Sequence, residues 1–393
     1  MRIHRTVPPA AAPLRWTDLA QGVAGMFSTA RSLRAREEEI RRRFGVEHVF
    51  LVSSGTAALT LTLTALKSCS PRTGVVIPAY TCFSVAAAVV KAGLRPVLCD
   101  IDPTTFDFDH AQLERTLKAD TLCVVAHHLF GIPSDVERVR ALCLPRGVAV
   151  VEDAAQAMGA EVDGRPLGTL GDVGIFSLGR GKNVTCGSGG IIVTRCARTA
   201  AAIAWYYRRL PAPGAADVLQ ELLRLVFMTA FIRPRLYWLP TALPFLQLGQ
   251  TIYPRQIAVT RLSGMQAGLL RGWQTRLARA NRTRSETATD LSRRLRLPLP
   301  HGPRPYLRLP VLAATPAERE RIYARAQARG LGVSLAYPTP INEIPDIRAA
   351  FNGARFPAAR RVADSLLTLP THHWLSEADK RAIVEVCQEA RAA

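Results

Sequence analysis

Short apolar runs alternate with longer amphipathic segments through the first half of the chain. Uninterrupted apolar runs bounded by turn residues are typical of strands that are buried on both faces of a parallel sheet. The segments between them place apolar residues at helical spacing. The predicted strands lie at residues 49–52, 75–78, 95–102, 122–126, 148–151, 173–176 and 191–194. This alternation predicts an α/β fold, with a mostly parallel sheet flanked by helices.

The pattern changes after Ala204, where an apolar insertion covers residues 205–258. A helix is predicted there, and prolines interrupt the apolar stretch that follows it. Neither piece reaches the ~20 uninterrupted residues that span a bilayer. Beyond the insertion, a strand is predicted at 307–312, and residues 331–341 are predicted as a strand that enters a loop. We therefore expect a large domain over residues 1–260, which includes the insertion, and a smaller C-terminal α/β domain over residues 261–393.

Composition places the chain among ordinary globular proteins. It has 393 residues, of which 48% are hydrophobic and 21% charged, and it is long enough for two domains. The formal net charge of +20 favours anionic partners. The arginines are dispersed, however, without a basic run interleaved with aromatic residues and without a nucleic-acid motif. We interpret the charge as arginine-rich composition and expect no nucleic-acid partner.

Cysteine usage and the N-terminus favour a cytoplasmic protein. The eight cysteines contain no C-x-x-C pair, and the N-terminal residues lack the apolar core of a signal peptide. No metal site is predicted, because the neighbouring aspartates at 100 and 102 and the histidines at 127 and 128 lack further ligands. Two interpretations of the insertion stay open. It packs against a second subunit, or residues 219–248 contact a membrane surface peripherally.

Lys182 is the most informative candidate for chemistry. The chain has few lysines, and this one lies in a glycine-rich loop. A desolvated lysine can lose its proton and form a Schiff base, which arginine cannot do. Asp153 follows the run at 148–151, so it is expected at the carboxyl end of a strand, where α/β sheets place ligand sites. Pyridoxal phosphate needs both a lysine imine and an acidic partner for its ring nitrogen.

Four motifs surround this pair in a fixed order: D-A-A-Q, G-D-x-G-x-F-S, x-K-N and G-x-G-G. Their order and spacing resemble the DegT/DnrJ/EryC1/StrS aminotransferases, pyridoxal-phosphate enzymes of fold type I. The resemblance implies that Lys182 is the catalytic lysine that bonds to the cofactor. It also implies that Asp153 pairs with the pyridine nitrogen. By the same resemblance, Gln156 lies near the ring hydroxyl and Ser177 helps to hold the phosphate.

The segment S-G-T-A after the first predicted strand is similar to the phosphate cradle of that family. Small residues at a strand-to-helix turn expose backbone N–H groups at the positive end of a helix dipole. Gly55, Thr56 and Ala57 are therefore expected to bind the cofactor. Family members commonly carry an asparagine two residues before the arginine of an R-x-S-x-x-Q-A motif, contributed across a dimer to the phosphate. Here Val259 occupies that position.

A second departure concerns the residue stacked on the cofactor ring. The family usually places an aromatic residue or histidine directly after a threonine in the segment that follows the second strand. This chain has Cys82 there, flanked by Tyr80 and Phe83. Cys82 is therefore the expected cofactor neighbour, and ordinary core packing is an alternative for both aromatic residues. A further resemblance, in H-L-x-G, implies that His128 lies at the edge of the cofactor.

The resemblance implies a homodimeric, sugar-aminotransferase-like enzyme of polysaccharide biosynthesis. It would move an amino group from an amino acid, usually glutamate, to a keto nucleotide-sugar. Relatives that act as sugar dehydratases replace the lysine with histidine, so Lys182 argues against that branch. Two alternatives stay open: a pyridoxal-phosphate enzyme that acts on another amino-acid substrate, and a non-catalytic relative associated with a membrane or nucleic acid.

Overall fold

The computed structural model describes residues 5–242, 251–299 and 302–392. Its centre is a sheet of seven strands. The sixth and seventh strands in the chain, each two residues long, form a separate hairpin outside that sheet. In chain order the strands of this half are β1 (His48–Val52), β2 (Gly74–Pro78), β3 (Arg95–Cys99), β4 (Thr121–His127), β5 (Ala149–Asp153), β6 (Glu161–Val162), β7 (Arg165–Pro166), β8 (Val173–Ser177) and β9 (Gly190–Thr194).

The large sheet has the strand order β1-β9-β8-β5-β4-β2-β3. Within it, β9 runs antiparallel to both of its neighbours, while the pairs from β8 to β3 are all parallel. The predicted mostly parallel sheet is therefore confirmed. Because parallel strands end at the same edge, the carboxyl ends of β5 and β8 lie side by side.

Helices cover both faces of the sheet. Alternate residues of one strand enter opposite cores: Val75 and Ile77 pack on one face and Val76 on the other. This is the period of two that a strand imposes. The helices of the first half are α1 (Trp16–Met26), α2 (Thr29–Phe44), α3 (Gly55–Ser68), α4 (Phe83–Lys91), α5 (His110–Thr116), α6 (Val136–Cys143), α7 (Ala197–Tyr207) and α8 (Ala215–Phe231).

The second half contains a small antiparallel sheet. Its two strands are β10 (Arg308–Leu312) and β11 (Leu366–Pro370). The longest helix, α11, runs from Trp273 to Leu295 and carries side chains that reach the large sheet. The helices of this half are α9 (Trp238–Thr241), α10 (Gly264–Leu269), α11 (Trp273–Leu295), α12 (Pro316–Ala328), α13 (Pro357–Ser365) and α14 (Glu377–Ala392).

Of the strand and loop predicted at 331–341, the strand is wrong and the loop is confirmed. Only Ser334 forms a bridge there, with Thr368 of β11, and the rest of the segment is irregular. Pro338 and Pro340 cannot donate hydrogen bonds to a neighbouring strand, and Ala336 has a left-handed backbone with φ of 53°. The segment therefore becomes a loop that extends towards the large sheet.

The helix predicted in the insertion is confirmed as α8. Its apolar face is largely uncovered, with Leu219 53% and Leu223 61% exposed. Residues 243–250 of the insertion lie outside the described residues, so part of the predicted 219–248 contact does too. No helix in the described ranges is long and apolar enough to cross a membrane.

The N-terminal arm, residues 5–14, packs against the C-terminal part of the chain. The Val7 amide donates to the carbonyl of Gly330 over 2.8 Å, and Nε2 of His372 lies 2.7 Å from the carbonyl oxygen of Pro8. His372 is thus a buried structural residue. The boundary between residues 260 and 261 stays a prediction.

Candidate active site

Two of the predicted residues lie at the carboxyl edge of the large sheet. Asp153 is the last residue of β5, Ser177 is the last residue of β8, and Asp153 pairs in register with Ile175 of the neighbouring strand. The Asp153 Oδ1 atom accepts a hydrogen bond of 3.0 Å from the amide of Ala155. That bond orients the carboxylate at the strand end.

Lys182 follows in the loop that joins β8 to β9. The loop is closed at its base, where the Leu178 amide donates to the carbonyl of Gly189 over 2.8 Å. Burial lowers the pKa of the Lys182 amine. The charges of Cys82 and Asp153 oppose that effect, whereas Arg308 adds to it. The amine therefore lies among three of the residues that line this end of the sheet, and burial favours its neutral form.

Side chains on one face of α11 bind the main chain of the Lys182 loop. Arg284 is only 1% exposed. Its guanidinium donates hydrogen bonds of 3.0 Å to the main-chain carbonyls of both Lys182 and Asn183, and one of 3.1 Å to the carbonyl of Ala11. Burial lowers the pKa of Arg284 to about 10, so the side chain stays charged at neutral pH.

Asn281, one helical turn before Arg284, ties together both sides of the site. Its Oδ1 accepts a hydrogen bond of 3.1 Å from Nδ2 of Asn183, and its own Nδ2 donates 2.9 Å to the carbonyl of Met158. Met158 lies in the turn that follows Asp153 and Gln156. One helix face therefore contacts both the lysine loop and the turn after the aspartate.

The start of α3 faces Ser177. A Cβ atom on Gly55 would lie 2.8 Å from the Cβ of Ser177 and 3.0 Å from its Oγ, so only glycine permits this close approach. The amides of Gly55 and Thr56 open the helix and have no acceptor within it. The Ala57 amide differs, because it donates a hydrogen bond of 3.0 Å to the side chain of Ser54. Of the three amides predicted to bind the phosphate, those of Gly55 and Thr56 are thus better placed to donate to it than that of Ala57.

Gln156 joins the site to the small sheet. Its Nε2 donates 3.0 Å to the hydroxyl of Tyr337, and its Oε1 accepts 3.1 Å from the amide of Phe130. Burial raises the pKa of Tyr337 well above its ordinary value, and the nearby Cys82 acts in the same direction. Sequence reasoning missed Tyr337, because its segment was assigned to a strand. In the sequence, the only local sign that Tyr337 does not belong to a strand is the Pro338 that follows it.

Cys82 caps α4 beside this tyrosine. Its Sγ lies 2.8 Å from the hydroxyl oxygen of Ser84. The flanking aromatic residues pack in the core: the ring centroids of Tyr80 and Phe83 lie 5.6 Å and 6.3 Å from that of Tyr337. Core packing therefore accounts for Tyr80 and Phe83, and the position beside Lys182 carries a thiol.

The side chain of His128 is paired in the core, and its place at the edge of the cofactor stays a prediction. Its Nε2 lies 2.9 Å from Oε2 of Glu152, and its Nδ1 accepts a hydrogen bond from the Ser134 amide. Both side chains of the pair are fully buried beneath the sheet edge. His128 turns inward because the Glu152 carboxylate, which also accepts from the Gly168 amide, requires a donor in the core. In the described ranges, no cluster of three or more ligand-type side chains could hold a metal.

The arrangement fits pyridoxal phosphate. A buried lysine with a lowered pKa, a carboxylate at a strand end, and open helix amides beside a serine hydroxyl lie at one edge of the sheet. These are the three contacts that the cofactor requires: an amine, an acid for the ring nitrogen and donors for the phosphate.

Comparison with known proteins gives matches over most of the chain. The model of the DegT/DnrJ/EryC1/StrS aminotransferase family matches residues 19–221 and 249–388. A UDP-N-acetyl-3-dehydro-alpha-D-glucosamine 3-aminotransferase of Acidithiobacillus ferrooxidans is 35% identical over 189 residues, 47% of this chain and 51% of that protein. An L-glutamine:2-deoxy-scyllo-inosose aminotransferase of Streptoalloteichus tenebrarius is 36% identical over 203 residues, 48% of this chain and 47% of that protein.

The chain spans about half the length of these two curated relatives. Among solved structures, the aminotransferase TlmJ from Streptoalloteichus hindustanus superimposes with a TM-score of 0.76 at 25% identity, over 98% of this chain and 99% of that one. The likeness in structure therefore extends beyond the portions that align with these two relatives.

Proposed function

Because this chain belongs to the DegT/DnrJ/EryC1/StrS aminotransferase family, whose cofactor is pyridoxal 5'-phosphate and whose fold is type I, we propose that it is an aminotransferase for a keto sugar. The donor is an amino acid, glutamate in this proposal, and the acceptor is linked to a nucleotide. The observation that carries the proposal is the Lys182 amine, whose pKa is lowered by burial and which interacts electrostatically with the Asp153 carboxylate.

Four contacts would hold the cofactor. The Lys182 amine would bond to it covalently, and the Asp153 carboxylate would keep a proton on its ring nitrogen. Ser177 and the first amides of α3, at Gly55 and Thr56, would bind the phosphate. Gln156 would face the ring, with its side-chain amide fixed by Phe130 and Tyr337, and Cys82 would lie beside it. When bound, pyridoxal phosphate supplies an electron sink for charge that develops on the donor's α-carbon.

Lys182 is the residue that moves protons in this proposal. Once the donor amine has displaced it, Nζ of Lys182 accepts the proton from the donor's α-carbon as a general base. It later returns a proton to the carbon of the acceptor that receives the amino group. Burial supports the first step, because it lowers the pKa of the amine and so maintains a fraction of neutral base.

The names of the relatives differ in the amino donor and in the acceptor, so both must be measured for this chain. One relative is named for a nucleotide-linked sugar and another for L-glutamine and a free inosose. We propose glutamate and a nucleotide-linked sugar for this chain. A panel of keto nucleotide-sugars, offered with labelled glutamate and separately with labelled glutamine, identifies both partners by transfer of the label.

We also propose that the protein is a homodimer in a reducing compartment such as the cytoplasm. All eight cysteines are free thiols in this structure, which a reducing compartment favours. Large apolar side chains are exposed on α1 and α8, which contact each other. A second copy of the chain would bury this surface, and peripheral contact with a membrane is the competing outcome.

Colour tests the proposed chemistry directly. Purified from cofactor-supplemented cells, the protein should show the visible absorbance of a lysine–cofactor imine, and Lys182→Ala should abolish it. Borohydride reduction followed by peptide mapping should place the adduct on Lys182. Lys91→Ala, at an exposed position, is the matched control and should keep the colour. A colourless wild-type protein, or an adduct on another lysine, would refute the proposal.

A further inference from the structure

A cavity of about 470 Å³ opens beside the insertion and is rich in arginine. A volume of this size is typical of a small-molecule site. Its walls come from three distant parts of the chain: the N-terminal arm, residues 233–236 of the insertion, and the loop that leads into α14. They include Arg5, Arg233, Arg235, Leu236, His373 and Trp374.

The positive charge of this cavity is only partly neutralised. Arg5 pairs with Asp379. In the described part of the chain, neither Arg233 nor Arg235 forms an ion pair with a carboxylate, and both are exposed. Burial lowers the pKa of His373, so this ring is neutral at pH 7 and the guanidinium groups supply the charge. Two free guanidinium groups in one concave surface favour a phosphorylated ligand, since their paired N–H groups match phosphate oxygens.

The cavity also offers an aromatic surface. The rings of His373 and Trp374 lie 4.5 Å apart, at an angle of 38°. The indole Nε1 of Trp374 is a buried donor that lacks an acceptor within the described ranges. Flat aromatic surfaces beside a basic site are what a nucleotide base contacts.

Hydrogen bonds between the walls hold the cavity in shape. The amide of Thr6 donates 2.8 Å to the carbonyl of Pro234, which joins the arm to the insertion. Arg5 joins the arm to the α14 loop through Asp379. The cavity is therefore formed before any ligand binds, which reduces the ordering cost of binding.

The N-terminal arm and the insertion connect the cavity with the lysine site. The arm that carries Arg5 continues to Ala11, whose carbonyl shares the Arg284 guanidinium with Lys182. Six residues of extended chain span at most about 22 Å, which bounds the separation. Tyr237 directly follows Leu236 of the wall, and the positive charge of Arg308 acts on its hydroxyl, as it does on Lys182.

Two of the three walls of the cavity lie outside the part of the chain that the family model matches, whereas His373 and Trp374 lie within it. The family match covers residues 19–221 and 249–388. Arg5 and residues 233–236 lie outside those ranges. The insertion thus adds basic residues to this pocket, whereas Lys182 lies in the part of the chain that the family model matches.

We propose that this cavity binds the diphosphate of the acceptor, with Arg233 and Arg235 contacting the phosphate oxygens and Trp374 beside the nucleoside. The inference rests on the proposed function and adds to it the place in this chain where the diphosphate is contacted. A phosphate headgroup of a lipid presents the same anionic chemistry, so the test must separate the two sources.

The first experiment measures binding by calorimetry, with the cofactor-loaded protein and either UDP or inorganic pyrophosphate as the probe. Arg233→Met/Arg235→Met should weaken the Kd at least tenfold. The matched control is Arg198→Met/Arg282→Met, which removes the same charge from exposed positions of α7 and α11 and should change the Kd less than twofold. Equal affinities in the two double variants, or no binding by the wild type, would overturn the inference.

The second experiment offers vesicles of phosphatidylglycerol to the same proteins. The wild type should stay in the supernatant. Pelleting that the Arg233→Met/Arg235→Met pair abolishes would assign the cavity to a lipid headgroup and overturn the proposal. Failure of the proposed function is recognised separately, because it would leave the cofactor absorbance of the wild type unchanged when glutamate or glutamine is added.

Discussion

The guanidinium of Arg284 donates a hydrogen bond of 3.0 Å to the main-chain carbonyl of Lys182. The two residues lie 102 positions apart in the sequence. Arg284 satisfies carbonyls of the loop and of the N-terminal arm simultaneously. A buried cation without a carboxylate partner is costly, so its three carbonyl acceptors are what make this position tolerable. The arginine thereby sets where the lysine loop lies relative to α11.

Replacing Arg284 should loosen that loop. In Arg284→Met the three carbonyls lose their donor, and we expect the free energy of unfolding to fall by about 3 kcal/mol. Cofactor affinity should fall as well, since the Lys182 backbone is no longer fixed. Urea unfolding and titration with pyridoxal phosphate measure the two effects. Arg282→Met, at an exposed position of the same helix, should change neither, and equal effects of both variants would contradict this role.

Acidification should detach the N-terminal arm. Burial lowers the pKa of His372 to about 3, and the nearby Arg284 adds to the effect. The unfolded chain binds a proton near pH 6.5 whereas the folded chain does not. The stability that depends on the neutral ring is therefore complete above about pH 6.5, and is lost as the pH falls towards 3 by up to about 1.4 kcal/mol per pH unit.

The His372 prediction is checked by urea unfolding at a series of pH values between 7.5 and 5. His372→Asn should show a shallower loss of stability than the wild type, because the titrating ring is gone. His48→Asn, in strand β1, serves as the control and should keep the wild-type slope. A slope that does not change in His372→Asn would contradict the assignment.

The close approach of Gly55 to Ser177 makes a sharp test of the phosphate end. In Gly55→Ala the new Cβ would meet Ser177 at 2.8 Å, so the serine or the start of α3 must move. We expect cofactor affinity to fall at least tenfold, about 1.4 kcal/mol. Gly214→Ala is the control, because a Cβ there meets only the flexible carboxylate of Asp217 at 3.1 Å. Wild-type affinity in Gly55→Ala would argue against a phosphate at this turn.

The apolar face of α8 should control the oligomeric state. Leu223 is 61% exposed, and Leu223→Glu should convert the proposed dimer to a monomer in sedimentation equilibrium. Gln220→Glu adds the same charge at an exposed polar position of the helix and should leave the dimer intact. A wild-type protein that sediments as a monomer, or a Leu223→Glu variant that remains dimeric, would show that a different surface serves as the interface.

Sequence patterns predicted the large sheet well because its signals are local. Each buried strand is an apolar run of its own, bounded by turn residues. The same kind of local pattern gave a wrong strand within 331–341, where two prolines have no N–H group to donate to a neighbouring strand. There a run of apolar residues resembles a strand, and only the missing partners reveal the loop.

The chemistry of the site was recognisable for the same reason. Lys182, Asp153 and Ser177 each belong to a short motif next to a strand, so order along the chain was enough to suggest a shared edge. The pairing of His128 with Glu152 was not foreseen, because nothing in the motif of His128 points to a partner in the core.

By itself, then, the sequence determined the α/β class, the strands of the main sheet and the residues suited to pyridoxal phosphate, since those follow from nearest neighbours and spacing. Only the tertiary structure decided how Lys182 is held, which tyrosine contacts Gln156 and where the arginines of the insertion meet. Arg284, Tyr337 and Arg233 act on partners in distant parts of the chain. Such contacts depend on the packing of whole elements, and no local pattern records them.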